Sequence, residues 1–564
     1  MPIAFRGRFL KARIMSKRRL SSSTNSSSLS CLPYSVGHDN DGVCLLLQMG
    51  PHRILLDCGL KDLYPLKKDD RPPAELIFCS HAHEDHSRGL LMLHESFPQI
   101  PIYTSEVTAK LLELYWQEQK IGEKNSVYQT LPWQSPVNVA ENLQAELFPA
   151  GHLPGAAVVV LTYQTAKKNY KVMYTGDFSL SNFQLVEGLS IENFRGLSPD
   201  VLIIEGTYGT VRHPHRRKQE KHLMERINQA LISDKNVFLP VPPVGLGQEI
   251  LKLLRSHHQF TGKDLDIWVD GITAQACDIY LELLNQFPAS VQNFAKHQSL
   301  FWDERVCPRM RRLREIDDLE SGKLPCILLA DYNADLVQYL SAGARDWLIL
   351  LHEHPLRNIE SNQEQFLKIK NLKNVEIDSY LLAEHSDGRN TTQLIHNLRP
   401  QHIIFVHGSP NYLVELTGLE ELRNRYQLHA PSDNTLVDLP IGDRFIQPVT
   451  LPPNNYEGEL NEVGSYITIS LPDAIETDPR WAKFADTGLV EARWQGDELI
   501  LRGLSQKELL DQNSEDKIST DIDCCSTCRF YSDRRCWNQS SPLYTFKVIP
   551  EGYCPVFESA EANN

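Results

Sequence analysis

The sequence lacks any apolar run long enough to cross a bilayer. Its longest candidates, Val201 to Ile204 and Trp347 to Leu351, read as buried strands. Positive charge is also in short supply: 57 Lys+Arg stand against 72 Asp+Glu, a formal net charge of −15. That balance counts against a protein that holds nucleic acid simply through a basic surface. Cysteine is sparse until the end of the chain. Seven of the twelve (Cys31, Cys44, Cys58, Cys79, Cys277, Cys307 and Cys326) are scattered, which excludes a disulfide scaffold and predicts reduced core thiols and a cytoplasmic location. No acid precedes Asp39. The first thirty residues, basic at Arg6, Arg8, Lys11, Arg13, Lys17, Arg18 and Arg19 and then serine-rich, lack the apolar segment of a secretory signal. They read as a disordered tail or as sequence upstream of a start at Met15; a transit peptide fits the composition less well.

A hydrophobic fraction of 41% and a charged fraction of 23% exclude global disorder and a collagen-like chain. The 564 residues suffice for two to four domains. From Leu32 onward, short apolar runs ending in Gly, Ser or Asp alternate with helical stretches such as Arg217 to Ile232 and Gln248 to Arg255. This predicts an α/β protein. The proline-bearing segment Pro448 to Gly458 and the polar run Ser505 to Thr520 read as linkers.

The most informative segment is His81-Ala-His83-Glu-Asp85-His86, directly after the apolar strand Glu75 to Ser80. Core packing gives no reason for three imidazoles and a carboxylate on one loop. Neutral imidazoles and an ionised carboxylate are good donors for zinc and similar divalent cations. His81 and His83, two apart on extended chain, can point the same way, while Asp85 and His86 can serve a second metal. His152, in a turn-rich loop, and Asp177, at a strand end in Tyr174-Thr-Gly-Asp177, supply further donors. A carboxylate at a strand end can bridge two cations.

Together with Ile54-Leu-Leu-Asp57-Cys-Gly, these motifs resemble those of the metallo-β-lactamase fold. The resemblance implies an αββα sandwich with two metals at one edge. Later motifs narrow it. Glu205-Gly-Thr-Tyr208-Gly, Ala383-Glu-His385-Ser-Asp-Gly and Phe405-Val-His407-Gly-Ser-Pro are similar, in that order, to motifs A, B and C of the β-CASP branch. Its members are nucleases with a cap domain inserted into the lactamase fold. The nearest likeness is to the cleavage-and-polyadenylation endonuclease and its archaeal relatives, and more distantly to ribonuclease J. Histidine at position 407 points to RNA rather than DNA.

The resemblance implies a tail over 1–30, a lactamase domain over 31–209 and 381–450, and a cap over 210–380. Beyond these, the sequence suggests a small β-rich module over 455–505 and a Cys-rich end over 521–560. By resemblance, His81, His83 and His152 hold one metal, Asp85, His86 and His407 the other, and Asp177 bridges them. Two zinc ions suit these ligands, with manganese as the alternative. Two such metals would lower the pKa of a water and clamp phosphate oxygens. His385 is the expected general acid and Glu205 its orienting carboxylate; Asp57 is expected to support a histidine ligand. Arg212, Arg216, Arg217, Lys218 and Lys221, with His213 and His215, form a basic cluster after motif A that reads either as a solvated helix face or as a phosphate-binding strip.

Three departures from the family pattern touch the cap and the RNA path. Leu246 replaces a customary Arg, Glu384 replaces a small residue beside His385 where it would repel phosphate, and Cys326 to Ser341 lacks a methionine-containing loop. At the end of the chain, Cys525, Cys528, Cys536 and Cys554, with Cys524 spare and no histidine beyond His429, suit an all-cysteine zinc site or an iron–sulfur cluster. The expected partners are single-stranded RNA, and protein subunits or a second copy of the chain, but no membrane. Two other functions compete: a metallo-hydrolase of small esters or thioesters, and a non-catalytic scaffold subunit of an RNA-processing complex.

Overall fold

The computed structural model describes residues 29–38, 42–67, 71–116, 127–340, 345–354 and 374–441, together with 369 and 372, four strands between 459 and 503, and residues 528–532 and 535–538. The chain divides into two units, Met1–Pro448 and Val449–Asn564.

Two seven-stranded sheets form the expected αββα sandwich of the first unit and share one hydrophobic core. The first sheet begins at the edge strand Val437–Asp438, runs antiparallel through Leu29–Val36, Val43–Met49 and His52–Leu56, and continues in parallel through Leu76–Phe78, Ile102–Thr104 and Tyr128–Thr130. The second runs antiparallel from Val137–Ala140 through Leu143–Pro149 and Ala157–Gln164 to Asn169–Tyr174, then in parallel through Val201–Glu205, His402–Val406 and Gln427–His429.

The chain leaves the second sheet after Glu205 and re-enters it one strand over at His402, with Glu205 opposite Val406. Between these points lies a third sheet of six strands, in spatial order Arg309–Arg312, Asp266–Val269, Ile327–Asp331, Asn236–Val241, Trp347–His352 and Val375–Tyr380. Every pairing in it is parallel. A parallel sheet needs cover on both faces, and the apolar runs supply it by alternation. Val237, Leu239, Ile327, Leu329, Leu348 and Leu350 belong to the main core. Phe238, Leu328, Trp347 and Ile349 form a second core on the other face. Among the described residues, the second unit contains three antiparallel strand pairs: Glu459–Val463 with Tyr466–Ser470, Val490–Gln495 with Glu498–Gly503, and Tyr531–Ser532 with Arg535–Cys536.

One buried carboxylate ties the inserted segment to the sandwich. Glu249, on the helix Leu246–Ser256, accepts the backbone N–H of Gln184 (2.6 Å) and of Leu185 (2.8 Å). Burial pushes this carboxyl up to about 7, against the pull of Arg216 and the two amides. Between the ordinary carboxyl range and 7, the folded chain therefore keeps a proton that the unfolded chain has lost, so this group lowers stability as pH rises through that window. Glu249→Gln leaves one amide N–H unmet and is expected to cost about 1–3 kcal/mol. It should also remove that part of the pH slope, and denaturant melts between pH 5 and 7 measure both effects.

Candidate metal centre

Parallel strands end on the same edge of a sheet, and this chain places its titratable residues just beyond those ends. Asp57 follows His52–Leu56, the His81–His86 loop follows Leu76–Phe78, and Asp177 follows Asn169–Tyr174. Glu205 ends its strand and His407 follows His402–Val406. His152 comes after Leu143–Pro149, which two antiparallel pairings align with the strand that leads to Asp177.

The backbone is specialised here. Asp57 (φ 56°) and His407 (φ 49°) adopt left-handed conformations, which Asp and His tolerate better than most residues. Gly176 (φ 53°) leaves no alternative: a Cβ there would lie 2.6 Å from that of Ser80.

Hydrogen-bond partners assign the tautomer of each histidine. His152 Nδ1 lies 2.9 Å from the carbonyl oxygen of Glu384 and must donate, so its Nε2 is a lone pair. His83 Nε2 faces the carbonyl of Val244 at 3.3 Å, which leaves Nδ1 bare. Ser80 Oγ donates to Asp57 (2.7 Å) and so accepts from His81 Nδ1 (3.0 Å), leaving His81 Nε2 bare. These three lone pairs converge: His83 Nδ1 lies 3.2 Å from His81 Nε2 and 3.0 Å from His152 Nε2. Three acceptors with no proton between them repel unless a cation stands among them. Asp177 Oδ2 completes the group, 3.4 Å from His81 Nε2 and 3.7 Å from His152 Nε2.

The second cluster follows the same logic. His86 Nδ1 donates to Asp57 (2.7 Å), which turns its Nε2 to the cluster, 3.3 Å from Asp177 Oδ1. Thr207 Oγ1 donates to Glu205 and accepts from His407 Nδ1 (2.9 Å), so His407 presents Nε2 to Asp85 Oδ2 at 3.4 Å. His81, His83, His152 and Asp177 can thus gather around one ion, and Asp85, His86 and His407 around another. The residues fit divalent cations: both Asp177 oxygens and His86 Nε2 are buried and make no hydrogen bond. Such orphaned acceptors are costly without a ligand. Burial would raise the Asp177 carboxyl, but the imidazoles of His407, His86, His385 and His81 hold it well below the usual range. Burial lowers His152 well below its ordinary value, whereas Asp177 and Asp85 outweigh burial at His407 and raise it to about 9.

His385 lies beside the clusters. Its Nδ1 is 2.9 Å from Glu205 Oε2 and 3.1 Å from Oε1, and its side chain is fully buried. Burial opposes its protonation, but Glu205 and Asp177 outweigh burial and raise it. Burial would raise Glu205 in turn, yet His385 brings it down to about 2. Glu205 also accepts the N–H of Phe178 at 2.7 Å, which fixes the carboxylate.

Several placements depart from the sequence reading. Arg216 is not available to RNA. It is buried, bonds the carbonyl of Ala383 (2.7 Å), pairs with Glu220 and stacks on Phe183. Arg212 and Arg217 are exposed and Lys218 is half-buried. Glu384 is buried, with its carboxylate 3.8 Å from His352 Nδ1. Two supporting residues lie outside the sequence motifs' assigned roles: Tyr174, whose hydroxyl donates to Asp57 at 2.5 Å, and Thr207, whose only local signal is a hydroxyl two residues after Glu205. In the second unit, Cys528 precedes and Cys536 ends a hairpin made by Tyr531–Ser532 and Arg535–Cys536. Cys524, Cys525 and Cys554 lie outside the described residues, as does the tail before Leu29.

Asp57 accepts four donors: Ser80 N, Ser80 Oγ, His86 Nδ1 and Tyr174 Oη. Asp57→Asn turns a donor amide toward at least one of them and frees the His86 tautomer. Metal affinity should fall about 10–100-fold, as measured by competition titration with a zinc chelator, while the circular dichroism spectrum stays native.

Residues 52–230 match the model of the beta-lactamase superfamily domain. The chain is 48% identical to "Uncharacterized protein sll0514" of Synechocystis, over 95% of this chain and 98% of that protein. It is 31% identical to "Probable RNase MJ4" of Methanocaldococcus jannaschii, over 43% of this chain and 60% of that one. It is 22% identical to "Cleavage and polyadenylation specificity factor 73" of Drosophila melanogaster, over 71% of this chain and 62% of that one. With the strand order, the ligand set and these relatives in agreement, the chain belongs to the metallo-β-lactamase superfamily.

Proposed function

We propose that this protein is a metal-dependent ribonuclease of the β-CASP type, with 210–380 as its cap, that hydrolyses phosphodiester bonds of single-stranded RNA in processing or decay. The observation that carries the reading is the His385–Glu205 pair set beside the two ligand clusters. Phosphodiester hydrolysis needs a proton donor for the leaving oxygen, and a buried imidazole held by a carboxylate at 2.9 Å is such a donor. The kinship with proteins named as an RNase and as a polyadenylation factor supports RNA as the substrate.

His81, His83 and His152 would hold one cation, Asp85, His86 and His407 the other, with Asp177 between them. When bound, two such cations supply an activated water and neutralise charge on the phosphate oxygens. The chain's own residues do the rest. Glu205 accepts the Nδ1 proton of His385, fixes its tautomer and favours the imidazolium. His385 Nε2 then holds the proton for the leaving oxygen. Thr207 ties Glu205 to His407, so that the proton donor and a metal ligand are set by one hydroxyl. The exposed Arg212 and Arg217 stand ready for phosphates outside the cleft.

The test uses 5′-labelled single-stranded RNA with zinc or manganese. His83→Ala should abolish cleavage and lower metal content; His385→Ala should keep its metal and lose about 10²–10⁴-fold in rate. Equal background from wild type and His83→Ala would sink the reading. Mononucleotide products mark an exonuclease and internal fragments an endonuclease. For the C-terminal cysteines, we propose a separate structural metal on Cys525, Cys528, Cys536 and Cys554. Cys528→Ser should remove one equivalent of zinc, or a cluster's iron, and leave the active-site pair; unchanged metal content would refute that site.

A further inference from the structure

A buried acid that gives up a proton in every turnover must recover one. The His385 side chain has no exposed surface, and its Nδ1 is committed to Glu205. Its working nitrogen, Nε2, lies 3.0 Å from Nε2 of His354. His354 comes from the inserted sheet, just past the strand Trp347–His352, and is 9% exposed. The other groups around His385 do not serve. Glu205, Asp177 and His407 are 2% exposed or less, and each is already engaged with another part of the centre. The Tyr208 ring is 3% exposed, with its centroid 6.0 Å away. His352 is turned to the carbonyl of Leu382 (3.1 Å) and to Glu384. With Nδ1 of His385 donated to Glu205, a proton on either Nε2 lies on the 3.0 Å axis between the two rings.

We propose that His354 is a proton-relay residue that reloads His385 between turnovers; the inference rests on the ribonuclease reading above. The proton balance is simple. The leaving oxygen takes the Nε2 proton of His385, which becomes neutral with a bare Nε2. His354, neutral with its proton on Nδ1, takes a proton from solvent on its own Nε2. It passes that proton to His385 Nε2 and is again neutral. One solvent proton enters per bond broken, and no other reactant is needed. The place that His354 occupies on the Nε2 axis is also the place the leaving oxygen must take. The ring therefore swings aside as RNA enters and returns as product leaves, which carries it toward solvent when it needs a proton. The relay comes from the inserted sheet and the acid from the sandwich, so the motif around His385 is incomplete without the insertion.

The experiment compares first-turnover and steady-state cleavage of labelled RNA by the full-length, metal-loaded protein, with His354→Ala and His354→Asn beside wild type. Asn can hydrogen-bond to His385 but cannot relay. Both variants are expected to cleave the first equivalent within about 2-fold of wild type and to turn over at least about 10-fold more slowly thereafter. Added imidazole should restore steady-state turnover of His354→Ala. Native metal content in both variants guards against a folding defect. In the 15N spectrum of imidazole-labelled protein, the Nε2 signal of His385 should move in His354→Ala. Unchanged steady-state turnover would overturn the relay. So would equal loss in both phases without imidazole rescue, which marks a structural role. Absence of metal-dependent cleavage by wild type would instead remove the ribonuclease reading, and the relay with it.

Discussion

The structure depends on one buried carboxylate that the protein alone leaves unsatisfied. Asp177 sits at a strand end with both oxygens buried and four histidines within 3.7 Å of them, yet no hydrogen bond reaches it. A hydrogen-bonding environment could have been built cheaply there, since serine and threonine hydroxyls stand nearby. They are instead spent one layer out, on Asp57, Glu205 and the far nitrogens of the histidines. Each histidine ligand thus has one nitrogen fixed by a hydrogen bond and the other turned toward the cluster. Bare acceptors this close cost free energy in the empty chain and are repaid only by cations.

That arrangement constrains the fold around it. The ligands come from loops at the ends of strands in both sheets, so the sheets must keep their relative position to a few tenths of an ångström. Direct hydrogen bonds across the sandwich do this: Tyr174 from the second sheet reaches Asp57 from the first, and Ala157 N donates to the carbonyl of Ser80. The inserted segment is held by comparable means. Glu249 clasps residues 184 and 185, and Arg216 reaches the carbonyl of Ala383, beside the loop that carries His385.

The sequence made the ligands legible because they are dense. His81, His83, Asp85 and His86 occupy six positions, and no packing argument accounts for them. Single residues such as His152, Asp177 and His407 became readable only through their order along a resemblance. The supporting contacts were mostly hidden. Thr207 matters because parallel pairing brings Val406 opposite Glu205, a register no local pattern encodes. Arg216 looked like part of a basic strip because its neighbours are charged. Its burial depends on Phe183 and Ala383, which lie far away in the chain. His354 carried no signal, since a histidine at a strand end is ordinary until another histidine is found against it.

Net charge misled in the same way. A balance of −15 speaks against a basic surface, yet it says nothing of the charge at the metal centre. There, carboxylates and imidazoles are ligands, and the local field is set by what they bind. Two divalent cations add four positive charges at a site whose two carboxylate ligands, Asp85 and Asp177, supply two negative ones. The ligand shell itself is then positive even though the chain is acidic, with the carboxylates of Asp57 and Glu205 one layer out. An acidic chain is thus compatible with an anionic ligand at this centre, provided the metals are bound.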